Sequence, residues 1–200
     1  MGPLQLSHRL LLGSGSPRRA ALLNGIGLPF ELRVAPIDEE ALHHPILEET
    51  AKHLARLKSQ AITITSNELL LTADTTVICQ GQLLGKAPDR ESAIAMLQQL
   101  SGQSHRVDTG VCLRTVDKEI LLQSTTILEW YPLENQEIEW YVDHYQPYDK
   151  AGAYGIQEWM GQRAIRSLQG CPLNVMGLPL PLVYETLRSS FSTLRSEFSV

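Results

Sequence analysis

The sequence predicts an α/β protein, a mixed twisted sheet with flanking helices, and three stretches carry that reading. Leu10-Leu11-Leu12 followed by Gly13-Ser14-Gly15-Ser16-Pro17-Arg18-Arg19-Ala20 reads as a buried strand, a small-residue turn and a helix opening. Leu69 to Cys79 is the most apolar run of the chain and has the character of a central strand buried on both faces. Val107, Thr109, Val111 and Leu113 then alternate as a strand, Asp117-Lys118 turns the chain, and Ile120 to Trp130 returns as an antiparallel partner.

Taken in order, the opening segment already suggests chemistry. The Ser16 hydroxyl is placed to cap the first helix and Pro17 suits its first position. Arg18 and Arg19 add two cations where the helix dipole is already positive. That is either a solvated, mildly unfavourable start or a place prepared for an anion. With the Ser14 and Ser16 hydroxyls and the exposed N–H groups nearby, the matching anion is a phosphate or polyphosphate. The helix runs on from Ala20 to Ile26, punctuated by Gly25 and Gly27, and Phe30, Leu32 and Val34 alternate as a half-buried strand.

Asp38-Glu39-Glu40 is an acidic corner, by default a solvated loop and alternatively a metal-holding one, and His43-His44-Pro45 is a surface turn. A helix from Ile46 to Ile62 carries an apolar stripe of Leu47, Ala51 and Leu54 that continues onto Lys58. A lysine there either snorkels past the apolar face or points into a cleft. Asp74 interrupts the apolar run, and an ionised carboxylate in such a strand has to be paired, metal-bound or set at a cleft.

Beyond it, Gln80-Gly81-Gln82 turns the chain, Leu83-Leu84 returns it, and Gly85-Lys86-Ala87-Pro88 leads out. Asp89 caps a helix with stripe Ala93, Met96, Leu97 and Leu100, ended by Gly102. After the hairpin, Glu134 to Tyr145 is an acidic amphipathic helix with Ile138, Tyr141, Val142 and Tyr145 inward. A glycine-rich loop over 146–157 carries the charged pair Asp149-Lys150, and such loops more often carry function than core elements do. Ala164 to Leu168 reads as a short strand, 170–181 as a loop, and Leu182 to Leu194 as a closing helix.

Two hundred residues make one domain or two small lobes sharing a cleft. A formal charge of −5 argues against a broad nucleic-acid or membrane surface, so Arg18 and Arg19 stand out as a local feature. The odd set Cys79, Cys112 and Cys171 fits no metal spacing and reads as free thiols in a reducing compartment. Neither a secretory signal nor a bilayer-length apolar run is present, so the expected location is cytoplasmic.

Several motifs then agree. Ser14-Gly15-Ser16-Pro17-Arg18-Arg19, Ala73-Asp74-Thr75, Gly85-Lys86, Leu100 to His105, Asp149 to Gln157 and Asn174 to Pro179 resemble, in order and over nearly the whole chain, the Maf family of nucleoside triphosphate pyrophosphatases. The resemblance implies a single domain over 1–200, with an elongated two-lobed α/β fold like that of the inosine triphosphate pyrophosphatases. It also implies a deep cleft, a divalent cation (Mg²⁺ or Mn²⁺) and a homodimer. The implied reaction converts a nucleoside triphosphate and water to the monophosphate and pyrophosphate. In that frame Asp74 is the proton acceptor and Glu39 the acidic-corner residue acting with metal or water, the two together serving as metal carboxylates. Ser14 and Ser16 form the phosphate loop, and Arg19, Lys58 and Lys86 hold the triphosphate.

Arg18, Thr75 and Gln157 resemble the subgroup acting on dTTP and UTP, and the subgroup acting on 7-methyl-GTP lacks that combination. Gln157 offers a donor and an acceptor from one amide, which suits a uracil or thymine edge; the alternative is that it braces its own loop. A non-catalytic nucleotide-binding regulator, in line with the family's older association with septum formation, is disfavoured by the pair Asp74 and Glu39, since binding alone needs neither. No P-loop pattern is present. Four positions depart from the family pattern: Ala87 follows Lys86 where proline is usual, Gln146 stands for a glutamate, Leu173 for a small or polar residue, and Glu158 for a glycine. The last puts a negative side chain beside the expected base site.

Overall fold

A computed structural model describes residues 4–37 and 44–193. Seven strands form one mixed sheet. The central strand is β3 (Glu68–Cys79), buried along almost its whole length as its apolar run requires. On one edge it pairs antiparallel with β5 (Ser104–Arg114), which continues the meander to β6 (Glu119–Trp130) and β7 (Ile165–Gln169).

The other edge of β3 is shared. Its first part pairs in parallel with β1 (Arg9–Leu12), through Leu12 opposite Leu71. Its last part pairs antiparallel with β4 (Gln82–Leu84), from Val77 onward. Residues 72–76 have no strand partner on this edge among the described residues. Asp74 sits in the middle of that gap.

Helix α1 (Pro17–Gly25) follows β1 as expected, with Ser16 at its N-cap and Pro17 at N1, but the Ser16 side chain makes no cap hydrogen bond. The expected strand through Phe30 and Val34 is only β2 (Glu31–Leu32), at the sheet's edge beside β1. Leu32 and Val34 are 63% and 58% exposed, with no further layer over that edge among the described residues. The expected helix from Ile46 is a 3₁₀ turn (Leu47–Glu49) leading into α2 (Thr50–Gln60), with Ala51 and Leu54 buried.

Helix α2 lies on β3 and β5, and its closeness is set by Gly110. A Cβ at Gly110 would stand 2.3 Å from the Lys52 Cα and N atoms, so only glycine admits the helix there. Thr72 Oγ1 donates to the Ala55 carbonyl at 2.6 Å and fixes the helix along the strand.

Helix α3 (Arg90–Leu100) is capped by Asp89, which accepts from the Ser92 N–H at 2.8 Å. Helix α4 (Asn135–Tyr145) starts with a reciprocal capping box of Glu134 and Glu137. Ile138, Tyr141 and Val142 are buried, whereas Tyr145, expected inward, is 39% exposed. Two short helices were not expected: α5 (Trp159–Ala164) in a stretch given no element, ending where the strand from Ala164 was expected, and α6 (Pro172–Val175) within the expected loop over 170–181. The closing helix α7 spans Leu180–Phe191, and Leu194 lies outside the described residues.

Two large apolar cores result, beside a small third cluster of Leu11, Ile62 and Leu70. One gathers α1, α7, β1 and the first part of β3, the other α3, α4, β4 and the last part of β3.

Candidate active site

A pocket of about 1000 Å³ opens at the uncovered edge of β3. Nine of the residues singled out from sequence line it: Ser14, Ser16, Arg18, Arg19, Lys58, Asp74, Thr75, Lys86 and Gln157. Glu39 lies outside the described residues.

At the α1 end, Arg19 is buried and anchored on three sides. Its Nε donates to the Gly177 carbonyl at 2.7 Å, Nη1 to Ser14 Oγ at 3.0 Å and Nη2 to Thr75 Oγ1 at 3.1 Å. Thr75 and Thr109 hydroxyls lie 2.9 Å apart, and Thr109 donates on to the Asn174 carbonyl at 2.9 Å. Asn174, fully buried, donates from Nδ2 to the Val107 carbonyl and to Thr126. One hydrogen-bond chain therefore ties the first turn of α1 to β3, β5 and the segment before α7. A cation held this way keeps its position without a ligand. The Ser14 hydroxyl also accepts from the Ser16 N–H at 3.3 Å, so the loop is folded on itself.

Asp74 meets Lys58 from α2, Nζ to Oδ1 at 2.6 Å, with side chains 9% and 14% exposed. The apolar stripe of α2 thus delivers a lysine to a buried carboxylate, and the pair offsets the desolvation of each member. Thr75, next in the strand, points to the opposite face, yet both line the pocket because it wraps the free edge of β3.

The third wall comes from the loop after α4. Gly152 donates to the Leu84 and Gly85 carbonyls, and a bridge joins Lys86 to Ala151, so the loop lies along the exit of β4. It turns through left-handed conformations at Gly152 (φ 68°) and Ala153 (φ 56°); the second, at a buried alanine, costs about 1–2 kcal/mol. Ala87 is buried in the core behind this junction and holds the segment that follows Lys86.

Asp149 pairs with Arg18 at 2.8 Å and with Lys150 at 2.8 Å, and these two charges together hold its carboxyl below the usual range despite partial burial. Lys150 is buried and also reaches Glu158 at 3.1 Å. Gln157 is exposed and its side chain makes no hydrogen bond among the described residues. Glu158, expected beside the base site, is not in the pocket wall: its carboxylate turns back to accept from the Tyr141 hydroxyl.

Asp149, Lys150 and Tyr154 joined the wall without having been assigned a role from sequence, as did Val34 to Ile37 and Val175-Met176. The glycine-rich loop with its charged pair, and the family motif over Asp149 to Gln157, were the signals for the first three. The described residues contain no group of three or more His, Cys, Asp or Glu side chains placed to hold a metal ion. No described helix is long and apolar enough to cross a membrane.

A family model described as Maf-like protein matches residues 9–190. The chain belongs to this family. Among its relatives, a dTTP/UTP pyrophosphatase of Bacteroides thetaiotaomicron is 41% identical over 184 residues, covering 90% of this chain and 95% of its own. Proteins of the same name from Porphyromonas gingivalis and Bacteroides fragilis are each 42% identical, over 90% of this chain and 94% and 95% of theirs. The Maf-like match thus takes in every described pocket residue, from Gly13 to Gly177.

Proposed function

We propose that this Maf-like protein is a nucleoside triphosphate pyrophosphatase that hydrolyses dTTP and UTP to the monophosphate and pyrophosphate. The observation that carries the reading is one pocket in which a buried carboxylate, Asp74, faces Arg18, Arg19, Lys58 and Lys86. Relatives about 42% identical and named dTTP/UTP pyrophosphatases support the same substrate class.

Cleavage between the α and β phosphates needs an aligned water, neutralised phosphates and a stabilised leaving pyrophosphate. Asp74 orients the water and takes its proton. Lys58 holds the carboxylate in place, and can shift toward a phosphate when substrate adds its own negative charge. Arg19, pre-anchored by Gly177, Ser14 and Thr75, meets the triphosphate with Lys86 from the facing wall. Arg18, Thr75 and Gln157 set the choice of base, and the unengaged Gln157 amide is suited to a pyrimidine edge.

A divalent cation, Mg²⁺ or Mn²⁺, belongs to this reading and would neutralise phosphate charge. A hard cation that borrows one or two carboxylates and takes its other ligands from phosphates and water suits so sparse a donor set, Asp74 with Glu39. A single two-lobed domain acting as a cytoplasmic homodimer completes the reading. The two apolar cores and the three free thiols are in keeping with it.

The test is pyrophosphate release across a panel of nucleoside triphosphates with and without Mg²⁺. dTTP and UTP should lead. A panel led by 7-methyl-GTP would move the protein to the other subgroup, and tight binding with no turnover would make it a regulator.

A further inference from the structure

Gln157 offers an exposed amide with no hydrogen-bond partner among the described residues, so what fixes its place in the pocket acts through the backbone. Discrimination between pyrimidines depends on donors and acceptors held to about 0.5 Å. The turn that carries Gln157 is held unusually firmly. The Glu158 N–H donates to the Gly155 carbonyl at 3.1 Å. A Cβ on Gly155 would lie 2.7 Å from the Glu158 carboxyl carbon, and one on Gly161 would lie 2.0 Å from the Ile156 carbonyl oxygen.

Glu158 occupies the N-cap position of α5, where an acidic side chain commonly accepts from the helix, but it makes no such bond. Its carboxylate instead faces inward. It accepts from the hydroxyl of Tyr141, a fully buried residue of α4, and forms an ion pair with Lys150 Nζ at 3.1 Å. The same Tyr141 oxygen accepts from the Gly155 N–H at 3.2 Å. Burial and the Glu158 carboxylate push the Tyr141 phenol well above its usual pKa, so it remains a donor at any working pH.

Tyr141 therefore grips the turn at both ends, at the amide of Gly155 and the side chain of Glu158. Lys150 supplies the countercharge from within the pocket wall.

We propose that Glu158 and Tyr141 are positioning residues for base selection, a buried relay that holds the turn of residues 155–158 so that the Gln157 amide stands at a fixed place in the pocket. Neither touches substrate, since neither lines the pocket. The inference rests on the dTTP/UTP reading and on Gln157 meeting the base.

The experiment measures kcat and KM for UTP, dTTP and CTP in wild type, Glu158→Gln, Tyr141→Phe and the double variant, with melting temperatures alongside. Glu158→Gln keeps the size of the side chain and removes only its charge. In this variant the preference for UTP over CTP should fall about tenfold, through KM, as expected when a recognition group is loosened by a fraction of an ångström. The kcat for UTP should stay within about twofold, because the transition-state contacts are untouched. Tyr141→Phe should give the same loss of preference, and the double variant no more than the worse single one, since both substitutions break one relay.

A folded Glu158→Gln variant with undiminished preference overturns the inference while leaving the function intact. So does a variant that slows all three substrates equally, which marks a merely structural role. A wild-type enzyme with no preference for UTP and dTTP over CTP overturns the functional reading, and this inference with it.

Discussion

Gly110→Ala tests how the fold sets the chemistry. Gly110 is directly opposite Asp74 in the β3–β5 register, under the N-terminal half of α2. The added Cβ would lie 2.3 Å from Lys52 Cα and N and 2.5 Å from the Ala51 carbonyl carbon, all backbone atoms that no rotamer change can move. Restoring ordinary carbon contact near 3.5 Å lifts the helix by about 1 Å. Overpacking of this kind costs about 1–3 kcal/mol.

The same movement carries Lys58 off Asp74, where the present separation is 2.6 Å, and strains the Thr72–Ala55 hydrogen bond. A misplacement of about 1 Å at a reacting group lowers turnover by about a hundredfold. The assay pairs urea denaturation with steady-state pyrophosphate release from dTTP. A variant within about 0.5 kcal/mol of wild type, the range of an indifferent surface substitution, and with wild-type kcat would refute the claim that this contact seats α2 and its lysine.

Three further outcomes are expected. Burial pushes the pKa of His105 down to about 4 from 6.5, where its Nε2 bonds the Tyr154 hydroxyl at 2.8 Å. The unfolded chain then binds the extra proton between those values, so stability present above pH 6.5 is lost as pH falls toward 4. The loss is about 2 kcal/mol at pH 5. Urea midpoints at pH 7 and pH 5 should show that part of the slope missing in His105→Gln, and an unchanged slope would clear His105 of it. Arg19→Ala should weaken nucleotide binding and turnover together by about tenfold or more, beyond the roughly 0.5 kcal/mol of a surface charge, as read by calorimetry and kinetics. Gln157→Ala should flatten the ranking of UTP over CTP at unchanged melting temperature, and a preserved ranking would remove Gln157 from base choice.

The sheet's centre was legible because its signals are local. The run from Leu69 to Cys79 needs burial on both faces whatever surrounds it, and the hairpin from Val107 to Trp130 declares its own register through alternation and a turn. The alternation of Phe30, Leu32 and Val34 was equally regular, but a strand needs a covered face as well as a period, and β2 has none over Leu32. Helices α5 and α6, of 6 and 4 residues, are too short for a 3.6-residue period to show.

At the site, Asp74 and Lys58 stood out because each violates its own apolar pattern. Asp149 and Lys150 break no local pattern, and Glu158 stood out only as a departure from the family's glycine. Their roles come from Tyr141 and Arg18, residues 17 and 131 positions away from their partners, and no local pattern encodes such meetings. Ser16 was read as a cap because its type and place are right, yet its side chain makes no cap bond, its N–H donates to Ser14 Oγ, and the residue lines the pocket.

The central claim is that Asp74, held by Lys58 at the uncovered edge of β3, takes the proton of the water that splits the α–β phosphoanhydride. The direct measurement is phosphorus NMR of dTTP incubated with Mg²⁺ and either wild type or Asp74→Asn. The wild type should yield dTMP and pyrophosphate, and Asp74→Asn should bind dTTP yet turn over slower by about a hundredfold or more, the scale of a lost general base. Release of dTDP and inorganic phosphate by the wild type, or pyrophosphate release by Asp74→Asn at the wild-type rate, would contradict it.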